Sequence, residues 1–117
     1  VLLTSIDREG TGIGFDLELV KKISKSLKIP VIAHGGPSKI IDIINVFKKT
    51  DVSATAISSM LHYNLLNNKK NIYSPNGIGN VNFIMSGKKF KDFGLYDLID
   101  IKKKLTSEKF YSRKVWF

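Results

Sequence analysis

Apolar and polar positions alternate in blocks along the first half of this chain, and the blocks change period. Leu2 to Ile6 is a short apolar stretch closed by Asp7, Arg8 and glycines, which predicts a buried strand. Leu17, Val20, Ile23 and Leu27 then recur at helical spacing, with Lys21, Lys22, Lys25 and Lys28 on the other side and Asp16 placed to cap the start. Pro30 ends that helix. "PVIAHGG" predicts a second strand running into Gly35 and Gly36. Ser38 is positioned to cap a helix carrying Ile40, Ile41, Ile44 and Phe47, and "VSATAISSM" predicts a third strand. Strand, helix, strand, helix, strand with short connections is a parallel βα repeat.

The pattern breaks after Tyr63. "NLLNNKKNIYSPNGIGN" reads as loop, "VNFIM" as a short strand or hairpin arm, and "SGKKFKDFG" as a second turn-rich stretch. "LYDLIDIKKKL" predicts a last helix with Leu95, Leu98, Ile99 and Leu105 on one side, and "YSRKVWF" a loosely held tail. The expected organisation is βα units over 1–63, an insertion over 64–94, and a final helix and tail over 95–117. The chain begins at Val1 inside an apolar stretch and is read as the C-terminal piece of something longer.

Composition narrows the function classes. The 117 residues contain no Cys, which removes disulfides, zinc–thiolate sites and a cysteine nucleophile, and fits a cytoplasmic protein. No secretory signal and no apolar run of ~18 residues is present, so no membrane association is expected. The net charge of +9 is uneven: residues 1–63 carry 8 Lys and Arg against 6 Asp and Glu, while residues 64–117 carry 11 against 4. Only Arg8 and Arg113 are arginines. Bidentate readout of bases and phosphates favours Arg, so the charge argues weakly for nucleic acid. Two histidines without cysteine make no convincing metal site, and no cofactor is expected.

In a parallel βα array the chemistry gathers at the carboxyl ends of the strands. Here those ends carry Thr4, Asp7, Glu9 and Gly10; then His34, Gly35 and Gly36; then Ser58 and Ser59. Glycines beside the first turn of a helix expose backbone N–H groups to an anion. Gly35-Gly36 and Ser58-Ser59, in consecutive units, match the phosphate site that barrels build after strands seven and eight. Gly10, Gly12 and Gly14 instead form G-x-G-x-G, without the G-x-G-x-x-G spacing or the later ribose-binding acid of a dinucleotide fold. A βα loop that closes over a substrate is the better reading. His34 sits at a strand end, where it can touch substrate; His62 is read as structural, and the serines have helix capping as their plainer role.

"LLTSIDREGTGIGFDLELVKKIS", "IPVIAHGG" and "ISSMLHYN" resemble the last three βα units of the cyclase subunit of imidazole glycerol phosphate synthase. The resemblance covers residues 1–63, with three motifs in order and correctly spaced. It implies an α/β fold: a C-terminal fragment, about three units corresponding to strands 6 to 8, of a (β/α)8 TIM barrel, with a divergent C-terminal extension. It implies a lyase-type cyclase of histidine biosynthesis, fed with ammonia by a glutaminase subunit and acting on a phosphorylated small molecule. Residue by residue, it puts Thr4 in the active-site mouth. Glu9 and Gly10 border one substrate phosphate, which Gly35 and Gly36 meet with backbone N–H groups and Ser59 bonds. Ser58 takes a position commonly held by Ala, and His34 one commonly held by Ser. Glu9 replaces Asp, and Pro37 replaces Ala. The family's catalytic aspartates belong to the first and fifth strands, so no catalytic residue is expected in this chain. The altered phosphate-loop residues and the 64–94 stretch also suit a paralogue that forms amidino sugars for surface polysaccharide. A noncatalytic basic module reading through Lys102 to Lys104 is the remaining alternative.

Overall fold

The computed structural model describes residues 1–68 and 93–113. Three parallel strands, β1 (Leu2–Thr4), β2 (Ile32–His34) and β3 (Ala54–Ala56), stand side by side in chain order. Four helices accompany them among the described residues: α1 (Leu17–Ser26), α2 (Ile40–Lys49), α3 (Ser59–Asn68) and α4 (Leu98–Ser107). The register aligns Leu2 with Ile32 and Ala54, Leu3 with Ala33 and Thr55, and Thr4 with His34 and Ala56. Side chains alternate across a sheet, so these three rows settle the two faces. The Leu3 and Ala33 row packs on the helices, around a core of Phe15, Val20, Ala33, Ile43, Val46, Met60 and Ile101. The opposite face carries Leu2, still 60% exposed, and ends in Thr4 and His34. A closed barrel turns that face inward and fills it from the other strands.

The helix starts follow from capping. Asp16 accepts from the Leu19 N–H at 3.0 Å, as its position before α1 predicts. At α2 the expected Ser38 cap is replaced. Asp42, on the first turn, reaches back and accepts from the N–H groups of Ser38 at 3.0 Å and Lys39 at 2.9 Å. A carboxylate there satisfies two donors and suits the positive end of the helix. Asp97 and Asp100 do the same reciprocally at α4, so that helix begins at Leu98, three residues beyond the expected Leu95.

Several expectations need correction. The strands are only three residues long, because the chain turns as soon as each reaches the cleft described below. "NLLNN" is not loop, since α3 runs to Asn68, and Ser59 and Met60 belong to that helix rather than to the third strand. Asparagine is a poor helix former, so the sequence understates this helix; the fully buried Met60 anchors it to the core. Leu27 and Ile41 lie exposed, and Ile43 is buried in their place. The reason is that α2 packs between α1 and α4 as well as on the sheet, so its buried face is broader than one stripe. On α4, Ile101 is 3% exposed with Leu105 packed beside it, whereas Leu98 and Ile99 face outward, as does Leu95 before the helix. "VNFIM" and most of the 64–94 stretch lie outside the described residues. No described helix is long and apolar enough to cross a membrane.

Candidate functional site

The carboxyl ends of the three strands open into one cleft. Glu9, Gly10, His34, Gly35, Gly36, Ser58 and Ser59 all line it, joined by Gly12, Pro37, Ala56, Ile57 and Phe93. Seven of the eight sequence-predicted site residues therefore meet in one place. Thr4 is the exception. It lies outside the cleft lining and reaches it through His34, whose Nδ1 is 3.1 Å from the Thr4 Oγ1.

The first wall is the connection after β1. Ser5 O accepts from the N–H groups of Arg8 at 3.2 Å and Glu9 at 3.0 Å, turning the chain sharply at the strand end. Thr11 Oγ1 then donates to Arg8 O at 2.7 Å. Gly10, Gly12 and Gly14 all have positive φ, so the G-x-G-x-G spacing serves a winding loop. Its far end is tied to the second unit by a bond from Gly14 N–H to Gly36 O at 2.8 Å.

The floor is Gly35-Gly36, with φ of +99° and +96°. A Cβ on Gly36 would collide with Gly14 O and stand 2.9 Å from Arg8 Cβ. A Cβ on Gly35 would come within 3.0 Å of Ser5 O and 3.2 Å of the Glu9 carboxylate. Only glycine satisfies both the conformation and the space at Gly36. The third wall is the start of α3. Ser58 O accepts from the N–H groups of Leu61 and His62, both at 3.0 Å, which makes Ser58 the residue that opens the helix. The first-turn N–H groups and the positive end of the helix dipole then lie beside Ser59, on the cleft.

Charged side chains are sparse around the cleft. The lining contains no Lys or Arg; its ionisable groups are Glu9 and His34. They stand 3.6 Å apart, carboxylate to Nδ1, and the Glu9 side chain is nearly half exposed. Positive potential at the cleft is that of backbone N–H groups and the α3 N-terminus. His62 lies off the cleft, edge-on to Tyr63 at 5.7 Å between ring centroids. Among the described residues, no three His, Cys, Asp or Glu side chains are placed to hold a metal ion. Of the five lining residues outside the sequence-predicted set, Gly12, Pro37, Ala56 and Ile57 flank predicted positions, and Phe93 comes from a distant part of the chain. It follows a long polar stretch and has no periodic partner, so nothing in the local pattern marks it.

Residues 1–67 match the family model described as "Histidine biosynthesis protein". The chain is similar to the imidazole glycerol phosphate synthase subunit HisF of Bacillus cereus (strain G9842), with 52% identity over 63 residues, which is 54% of this chain and 25% of that protein. The subunit of the same name from Lactococcus lactis subsp. cremoris (strain MG1363) is 44% identical over 63 residues, covering 54% of this chain and 24% of the relative. That of Alkaliphilus metalliredigens (strain QYMF) is 45% identical over 64 residues, 55% of this chain and 25% of the relative. The chain spans about a quarter of the length of these relatives.

Proposed function

We propose, from the premise that the chain belongs to the histidine biosynthesis protein family, that it supplies one phosphate-binding half-site of a cyclase subunit of imidazole glycerol phosphate synthase type. The family is one of (β/α)8 barrels, and the three parallel strands with helices on one face are three units of that fold. The single observation that carries the functional reading is the meeting of the Gly35-Gly36 turn with the N-terminus of α3 in one cleft. Such a pairing presents backbone donors to a phosphate from two sides without needing a cation. Ser59 adds a hydroxyl, His34 a ring donor, and Gly10 lets the covering loop approach. Glu9 borders the site as the one acid, and its exposure allows it to withdraw from an arriving anion.

On this reading the chain binds and orients substrate, and the acid–base groups come from elsewhere in the barrel. The partner is a glutaminase subunit that delivers ammonia, and the protein is cytoplasmic. The test is Ser59→Asp in the intact protein. A carboxylate at the helix N-terminus occupies the phosphate's place and repels it, so turnover is expected to vanish. A Michaelis constant equal to wild type would exclude phosphate binding at this cleft.

A second reading is the amidino-sugar paralogue, favoured by one observation: His34, at the floor of the cleft, stands where the cyclase family commonly has Ser. Assaying the intact protein with each substrate class decides between them. Ring closure on the histidine-pathway bisphosphate supports the first, and amidine formation without it supports the second.

A further inference from the structure

Phe93 lies beyond residues 1–67, the part that matches the family, yet its side chain reaches the cleft. Its ring is 5.0 Å from that of Tyr63 on α3, centroid to centroid, with a 38° tilt. Its edge packs directly on the glycine loop: a Cβ on Gly12 would lie 3.2 Å from Phe93 Cζ and 3.5 Å from Cε2. Ser38 Cβ closes on the same point at 3.5 Å from another side. The next residue, Gly94, donates its N–H to Ser38 O at 2.9 Å. Two consecutive residues thus touch the glycine loop, the start of α2 and the body of α3.

We propose that Phe93 is a positioning residue for the ligand cleft: braced on Tyr63, its ring holds the Gly10–Gly14 loop in the conformation that forms the cleft wall. The proposal rests on the phosphate-site reading above. The loop needs such a hold because three of its five residues are glycines with positive φ, the residues with the most freedom to lose. The bonds that tie it, from Thr11 to Arg8, from the Ile13 N–H to Thr11 Oγ1 at 3.4 Å and from Gly14 to Gly36, do not engage the Gly12 backbone, which packs against Phe93. Without the ring the loop samples other conformations, and only the fraction with a formed wall binds ligand, so apparent affinity falls by that fraction.

The experiment uses the intact protein with inorganic phosphate as probe, and reads phosphate affinity together with hydrogen exchange of the amides at residues 10–14, 35–36 and 59. Phe93→Ala is expected to speed exchange at residues 10–14 before phosphate is added and to weaken phosphate binding by about 5-fold. Phe93→Tyr keeps the ring and is expected to restore both. Phe110→Ala, which removes a ring pair with Phe47 at 5.4 Å, at the far end of α2, is expected to leave both readouts at wild-type values. Should Phe93→Ala fail to fold, Phe93→Leu is expected to give the same changes in reduced size. Wild-type loop exchange and wild-type affinity in Phe93→Ala, or in Phe93→Leu where the alanine variant does not fold, overturn the proposal. An absence of phosphate protection at residues 35–36 and 59 in the wild-type protein overturns the phosphate reading instead, and the exchange of residues 10–14 still reports on Phe93.

Discussion

Gly36 and Ile101 hold the molecule together in opposite ways. Gly36 belongs to the βα region, where backbone geometry makes the decisive contacts: parallel pairing of three-residue strands, glycines with positive φ, and a carbonyl that bonds the neighbouring loop. Ile101 belongs to the segment that returns after residue 92, where side chains make them. Ile101 enters the core and Leu105 packs against it. Glu108 bonds Lys48 on α2 at 2.6 Å and Lys104 on its own helix at 3.0 Å. Phe93 leans on Tyr63. The difference teaches where chemistry and where adjustment reside. A backbone-built cleft tolerates no added atom at its tightest point, whereas side-chain docking loses strength in proportion to what is removed. The proposed phosphate donors belong to the first region, and the proposed brace, Phe93, belongs to the second.

The comparison breaks most readily at Gly36. Gly36→Ala places a Cβ against Gly14 O and Arg8 Cβ at a φ of +96°, with backbone on one side that cannot move aside cheaply. The expected cost is about 3 kcal/mol, or outright failure to fold, measured by thermal denaturation of the intact protein. A variant as stable as wild type would mean that the turn is not held by backbone geometry.

Ile101→Ala tests the other region. It removes the one fully core-directed side chain of α4. The expected loss is about 2–3 kcal/mol of stability. Phosphate affinity at the cleft should remain within about twofold of wild type, because Ile101 does not line the cleft and the packing of Phe93 on Gly12 is left in place. A parallel collapse of phosphate affinity, read by titration calorimetry on the folded variant, would show that the two regions are not separable in this way.

The smallest expected effect is at Glu108. The hydrogen bond from Lys48 holds its carboxyl below the usual glutamate range, with a second bond from Lys104 and the charges of both lysines acting the same way. A lowered folded value means that the stabilisation is complete above the unfolded glutamate pKa and is lost as pH falls through the lower folded value. Glu108→Gln should therefore lower Tm slightly at neutral pH and flatten the acid limb of a Tm–pH profile, with the difference shrinking in high salt. Identical acid limbs would remove the ion pair from the account of how α4 docks.

Much of the candidate site was legible before any tertiary contact was known. Glycines and serines at strand ends are local signals, and in a parallel βα array the strand ends converge by topology. That is why Glu9, Gly10, His34, Gly35, Gly36, Ser58 and Ser59 fall into one cleft. Thr4 was legible as a strand-end residue, but its side chain engages His34 and does not line the cleft. Phe93 carried no signal, because its importance comes from landing on Gly12, 81 positions earlier in the chain.

The sequence by itself determined the order of βα units, the Asp16 cap and the strand ends at which the candidate site lies. The order of units and the cap follow from hydrophobic period and local hydrogen bonding, set within a few residues, whereas the need for glycine at Gly36 comes from Gly14 O and Arg8 Cβ, brought close by the fold. Tertiary structure alone decided that Ile43 and Phe15 are buried while Leu27 and Ile41 are not, and that "NLLNN" continues a helix anchored by Met60. It also decided that Phe93 and Ile101 return to the body of the fold. An apolar residue's burial depends on what stands opposite it, and helix ends depend on which donors the packed chain leaves to be satisfied. Neither quantity exists until segments distant in sequence are brought together.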